Sequence, residues 1–190
     1  MKPKNTLLAL LLAAAAIVPA RAGIDFTPTV TERLQAGIKF QQLNFKENGR
    51  PITYEQPRGW SYSGAGPRIR FVPPDAPQAQ ADIDQSPLPA PQTFDEPTKK
   101  ALQAKTLAAV PAESSHVVFV SEAANPVILN KLPTYEVTVS YQAFGQEFAM
   151  SVLYLNLPDT QLRFRTVARK ADFEKVHAAF RASIYSWQWQ

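Results

Sequence analysis

Residues 135–167, YEVTVSYQAFGQEFAMSVLYLNLPDTQLRFRTV, decide the fold. Over residues 135–141 the side chains alternate, with Tyr135, Val137, Val139 and Tyr141 on one face and Glu136, Thr138 and Ser140 on the other. Phe144-Gly145-Gln146 reads as a turn, residues 147–157 as a second long strand, Pro158-Asp159 as another turn and residues 161–167 as a third strand. In that third strand Leu162 and Phe164 point one way, Arg163 and Arg165 the other. One buried and one wet face per strand is the pattern of an antiparallel sheet.

Working outward, the period changes from two to 3.6 near Lys170. Phe173, Val176, Phe180, Ile184 and then Trp187 recur at spacings of three and four, which predicts an amphipathic helix laying one stripe on the sheet. Upstream, Val117-Val118-Phe119-Val120 reads as a strand, Asn125-Pro126 as a turn and Val127-Ile128-Leu129 as a brief pairing. Asp95-Glu96-Pro97 announces a helix that runs to about Ala109 and stops before Pro111. Residues 73–97 hold Pro73, Pro74, Pro77, Pro87, Pro89, Pro91 and Pro97 and read as a long ordered loop with one short strand at residues 80–85. Residues 37–46 and 51–56 form a hairpin around Asn48-Gly49, because both turn residues tolerate positive φ. Trp60, Tyr62, Ile69 and Phe71 mark a third extended segment, broken at Gly64-Ala65-Gly66-Pro67. Residues 23–36 read as an exposed lead-in with at most one helical turn. The expected class is α+β, an antiparallel, curved sheet with flanking helices.

Residues 1–22 carry the three parts of a secretory signal peptide: Lys2 and Lys4, an apolar run over residues 7–18, and a small-x-small cleavage site at Ala20-Arg21-Ala22. The run is shorter than the roughly 20 residues a membrane-spanning helix takes. The expected division is therefore a signal peptide at 1–22, the lead-in at 23–36 and one α+β domain at 37–190, working in the periplasm or outside the cell after cleavage near Ala22-Gly23. Without Lys2, Lys4 and Arg21 the 20 basic residues fall to 17, against 16 acidic ones. A near-neutral chain has no global field to draw it to phosphate backbones, so nucleic acid is not an expected partner, nor is stable membrane insertion. The chain has no cysteine, which removes disulfides, a thiol nucleophile and cysteine metal sites, so stability must come from burial, with 11 Phe, 6 Tyr and 3 Trp to supply it.

The order of hairpin, Pro-x-x-Trp, Pro-rich crossing, helix, meander and closing helix resembles the PsbP-like family. The residues that carry the likeness are Asn48-Gly49 before Ile52 and Tyr54, Pro57 and Trp60, Asn125-Pro126 before the 135–141 strand, and Phe173 with Ala182-Ser183-Ile184. The likeness spans about residues 37–187. It implies an α/β/α sandwich around a curved antiparallel sheet and a non-enzymatic role as an exported accessory or envelope protein. No family functional residue maps onto this chain, which also departs from the pattern at Arg50-Pro51 and in its Trp187-Gln188-Trp189-Gln190 tail.

Candidate sites are few. His116 and His177 are the chain's two histidines, short of a converging ligand set, so no metal and no cofactor is expected. Ser114 and Ser115 beside His116 leave a Ser-His-Asp hydrolase as a distant alternative, without a Gly-x-Ser-x-Gly elbow. Asp82 and Asp84 share a strand face and are read as edge-protecting charges. Gly64-Ala65-Gly66 lacks the Lys-Ser/Thr of a phosphate loop. Arg163 and Arg165 share a solvated face that could take an anion. Tyr141, Trp187 and Trp189 are the expected interaction residues; the two tryptophans either cap the core or dock a partner. The expected function is an exported, non-enzymatic accessory or protein-interaction protein of the bacterial envelope, a monomer or weak oligomer whose partner is an unidentified envelope protein. A module enclosing a small apolar ligand between sheet and C-terminal helix is the alternative.

Overall fold

Asn48 and Gly49 take φ of 49° and 83°, the two positive values that a tight hairpin turn requires. That turn pins β2 (Ile38–Glu47) to β3 (Arg50–Glu55), and a second turn at Ala36-Gly37, also of positive φ, pairs β1 (Ile24–Gln35) with β2, so three antiparallel strands lie in register. The computed structural model describes residues 23–190; the expected leader at residues 1–22 lies outside the described residues. Next come β4 (Ser61–Ala65), β5 (Arg68–Val72), β6 (Gln80–Pro87), α1 (Glu96–Leu107), β7 (Ser115–Ala124), β8 (Thr134–Ala143), β9 (Gln146–Asn156), β10 (Thr160–Arg169), α2 (Lys170–Ile184) and β11 (Gln188–Trp189). Two sheets result, ordered β1-β2-β3-β11 and β4-β5-β6-β10-β9-β8-β7.

The segment expected as a lead-in is strand β1. The strand sends Ile24 and Phe26 into the core, whereas its residues 29–34 are exposed and are held by their ladder to β2. Its register shifts between Asp25 and Thr29, around Pro28, which cannot donate to a ladder. The expected hairpin, the broken third segment, the strand within the Pro-rich stretch, both helices and the C-terminal meander all form.

α1 begins with Asp95 accepting the Thr98 N–H at 2.9 Å and with proline in its first turn. It lies over β8, where Leu102 meets Tyr135, Val137, Val139 and Tyr141 in one apolar cluster. α2 follows β10 without a loop and lies on the opposite face, burying Phe173, Val176, Phe180 and Ile184 between the two sheets. Each such side chain contributes about 1.5–3 kcal/mol when fully buried. Trp187 sits among Phe26, Phe45, Tyr54 and Phe164, with ring centroids 5.7 to 6.3 Å away, and so links both sheets and the tail. The layers are α1, the seven-stranded sheet, then α2 with the small sheet.

Candidate functional site

On the α1 side of the large sheet, register places two rows of charge across three neighbouring strands. Arg70, Asp82 and Arg165 face one another across β5, β6 and β10, and so do Arg68, Asp84 and Arg163. Asp82 is fully buried under the arginines. Its Oδ1 accepts from Arg68 Nε (3.1 Å), Arg68 Nη2 (2.7 Å) and Arg70 Nε (3.3 Å), and its Oδ2 from Arg165 Nε (3.2 Å) and Nη2 (2.8 Å). Asp84 accepts from Arg163 Nε. A buried carboxylate must be paired, and here several guanidiniums share that task while staying a quarter to nearly half exposed. Lys105 of α1 approaches the same face, donating to Gln161 at 2.9 Å. Desolvation, then repulsion from Arg163, pulls its ammonium below the usual lysine range.

The far edge of this sheet is β7. It pairs only with β8, and Val117, Val118, Phe119 and Val120 are 37% to 55% exposed. Two register irregularities, between Ser115 and Val118 and between Phe119 and Ser121, interrupt the ladder. Such bulges are a common restraint on edge pairing, and they leave short regular stretches rather than a long flat template. The C-terminal half of β7 is tied down through Glu122, which accepts from Tyr135 Oη and from Gln103 of α1.

Phe173, Val176, Phe180 and Ile184 of α2 are buried in one apolar cluster with the large sheet. Phe180 stacks on Trp60 and tilts against Phe71, so aromatic rings occupy this part of the layer where the alternative places an apolar ligand. A cleft of about 780 Å³ opens beside the C-terminal part of α2, between Phe40, Arg58 and Trp60 and the helix residues Ala179, Ala182 and Ser183. Arg58 lies over the Phe40 ring, 5.4 Å from its centroid.

The histidines go separate ways. His177 stacks on Phe173, and its Nε2 lies 3.2 Å from Oε1 of the buried Glu136, which also accepts from Ser151 (2.8 Å) and Arg181 (3.2 Å). The carboxylate occupies the middle of this group, so the imidazole does not touch the serine and cannot take its proton. His116 contacts only the adjacent Ser115 hydroxyl, at 3.2 Å, on the exposed edge strand. Neither arrangement is the relay the hydrolase alternative needs.

Two of the three expected interaction residues prove to be buried. Trp187 is 2% exposed and Tyr141 is 4% exposed and stacked on Phe148, so neither presents a surface. Trp189 packs on Trp187 and donates to Glu47 at 2.9 Å, as β11 pairs with β3. Arg163 and Arg165 are on the expected face, but each is bound to an aspartate. Asp82 and Asp84 are not edge charges, because β6 lies between β5 and β10. Arg68 and Arg70 were missed; their alternation in β5 is visible in the sequence, whereas the strand order that brings them to Asp82 is not.

An open antiparallel sheet between two helices, with a hairpin sheet alongside, defines an α+β sandwich of the PsbP-like type. The chain is similar to the solution structure of cyanobacterial PsbP (CyanoP) from Synechocystis sp. PCC 6803, with a TM-score of 0.52 and 11% identity over 95% of this chain and 98% of that one. It is also similar to the crystal structure of LpqN, involved in cell envelope biogenesis of Mycobacterium tuberculosis, with a TM-score of 0.52 and 12% identity over 86% of this chain and 92% of that one. No family model matches the sequence, and no curated protein matches it. At such identities the likeness shows the fold alone, and that fold is the PsbP-like one expected from the order of elements.

Proposed function

We propose that this protein is an exported accessory factor of the cell envelope that acts by protein–protein contact rather than catalysis, and that β7 is its docking strand. The observation that carries this reading is the run of exposed apolar side chains, residues 117–120, on an edge strand paired on one side only. An edge of that kind offers main-chain groups for affinity and alternate side chains for selectivity, which is how strand addition recognises extended segments. The bulges limit the partner to a short extended stretch, and His116 and Glu122 near its two ends give that stretch a direction. The leader-like residues 1–22 support export, and LpqN, which shares the fold, is described as involved in cell envelope biogenesis.

A photoreactive residue at Val118, in cells expressing the whole chain, tests the reading against the same probe at Phe144, an 89% exposed residue of the β8–β9 turn. A discrete adduct from Val118 and none from Phe144, lost when Val120 is replaced by Lys, is the expected result. An adduct of twice the chain's own mass identifies a second copy and overturns the accessory reading. Equal, diffuse labelling from both positions also refutes it. Amino-terminal sequencing of the cell-derived protein checks export: Gly23 is expected, Met1 contradicts.

A further inference from the structure

The arginine rows lie on a different part of the large sheet from β7, and the two surfaces share no residue. Four guanidiniums face two carboxylates, and Lys105 adds another cation beside Arg163. Pairing Asp82 and Asp84 needs only two arginines. Arg70 contributes a single 3.3 Å contact to Asp82 and is 45% exposed, so its guanidinium keeps most of its donors for another group. Neighbouring like charges repel, and an anion on this face relieves that repulsion.

The geometry says what kind of anion. The rows are two residues apart along β5 and along β10, about 6.6 Å on an extended backbone, and β5 and β10 are separated by two strand spacings, about 9.5 Å. Side chains two residues apart on an extended chain share a face and repeat at that same ~6.6 Å. Two carboxylates so placed meet one row each, one beside Arg70 and Arg165 and the other beside Arg163 and Lys105, and neutralise the surplus of the four arginines over the two aspartates. A single free oxyanion reaches one row only. We infer that the β5–β6–β10 face binds an extended acidic protein segment carrying carboxylates at alternate positions. Guanidinium forks match carboxylates in two-bond contacts, and Lys105 extends the site along the row of Arg163.

The test is fluorescence anisotropy with the mature chain and labelled peptides of about eight residues, at low ionic strength where the Debye length is about 30 Å and again near 8 Å. One peptide alternates Glu and Thr; a second of equal composition clusters its glutamates. Vesicles of phosphatidylglycerol and inorganic phosphate are the comparison probes. The alternating peptide is expected to bind more tightly than the clustered one, with Arg68→Gln/Arg70→Gln weakening it about fivefold to tenfold. Should that double variant melt early, Arg70→Gln and Lys105→Gln, tested singly, are expected to show smaller losses with the fold intact. Equal binding of the two peptides, no loss in these variants, or binding of vesicles or phosphate in place of peptide overturns the inference. The peptides report on Arg68, Arg70 and Lys105 and the photo-adduct on Val118, so failure here and failure of the β7 reading are separable.

Discussion

Replacing Asp82 by Ala removes the one fully buried carboxylate under three arginines. Five charge-assisted hydrogen bonds, 2.7 to 3.3 Å long, lose their acceptor together. The cost is not five separate bonds, because the guanidiniums are 39%, 45% and 23% exposed and regain water. Breaking a buried ion pair by deleting one partner costs about 3–5 kcal/mol, and the partial exposure puts this case near 3 kcal/mol. For a chain of this size that is a fall in Tm of roughly 6–12 °C. Asp82→Asn rescues little, since its amide nitrogen must face the donors of one arginine or another. The deficit also shrinks near 1 M salt, where the Debye length of about 3 Å screens the repulsion among the released arginines. The assay is thermal and urea unfolding of wild type and both variants at two salt concentrations. A deficit below about 1 kcal/mol, the value of an exposed pair, refutes the claim that this carboxylate organises the face.

Trp187→Ala removes a ring that contacts Phe26, Phe45, Tyr54, Phe164 and Trp189, and urea unfolding is expected to show a loss of about 3–5 kcal/mol. Trp187→Phe costs less, because the buried indole Nε1 makes no hydrogen bond whose loss would count. Burial raises the Glu136 carboxyl, but contacts from His177, Ser151 and Arg181 more than offset this and hold it below the usual 4.5. A carboxyl lower in the folded than in the unfolded state stabilises above pH 4.5 and loses that contribution as pH falls through its folded value. Unfolding measured between pH 7 and 3 is expected to steepen below 4.5 in wild type and to flatten there in Glu136→Gln; parallel curves contradict the assignment.

Periodicity made most of the fold legible. The alternation of Tyr135, Val137, Val139 and Tyr141 and the stripe of Phe173, Val176, Phe180 and Ile184 are written in the chain, and both bury as read. β1 escaped because beyond Phe26 it buries no apolar face, and a ladder leaves no side-chain pattern. The apolar run at residues 117–120 lacks alternation because both of its faces are exposed at an edge, a position set by strand order. The candidate site was half legible for the same reason. Arg163 and Arg165 show their shared face within one strand, but Asp82 becomes a buried acceptor only when β6 lands between β5 and β10, and that order comes from tertiary packing. Aromatic type alone does not separate core from surface: Trp187 takes the core-capping alternative, and Tyr141, expected at an interaction surface, is buried as well.

Amide hydrogen exchange across Ser115–Ala124 probes the proposed docking strand most directly. In the free protein the outward amides of β7 are expected to exchange quickly, and with the protein captured at Val118 bound they are expected to slow along the strand while β1 and β4 stay unchanged. Unaltered exchange in β7 with slowing at any other surface contradicts the proposal that the apolar edge is a docking strand.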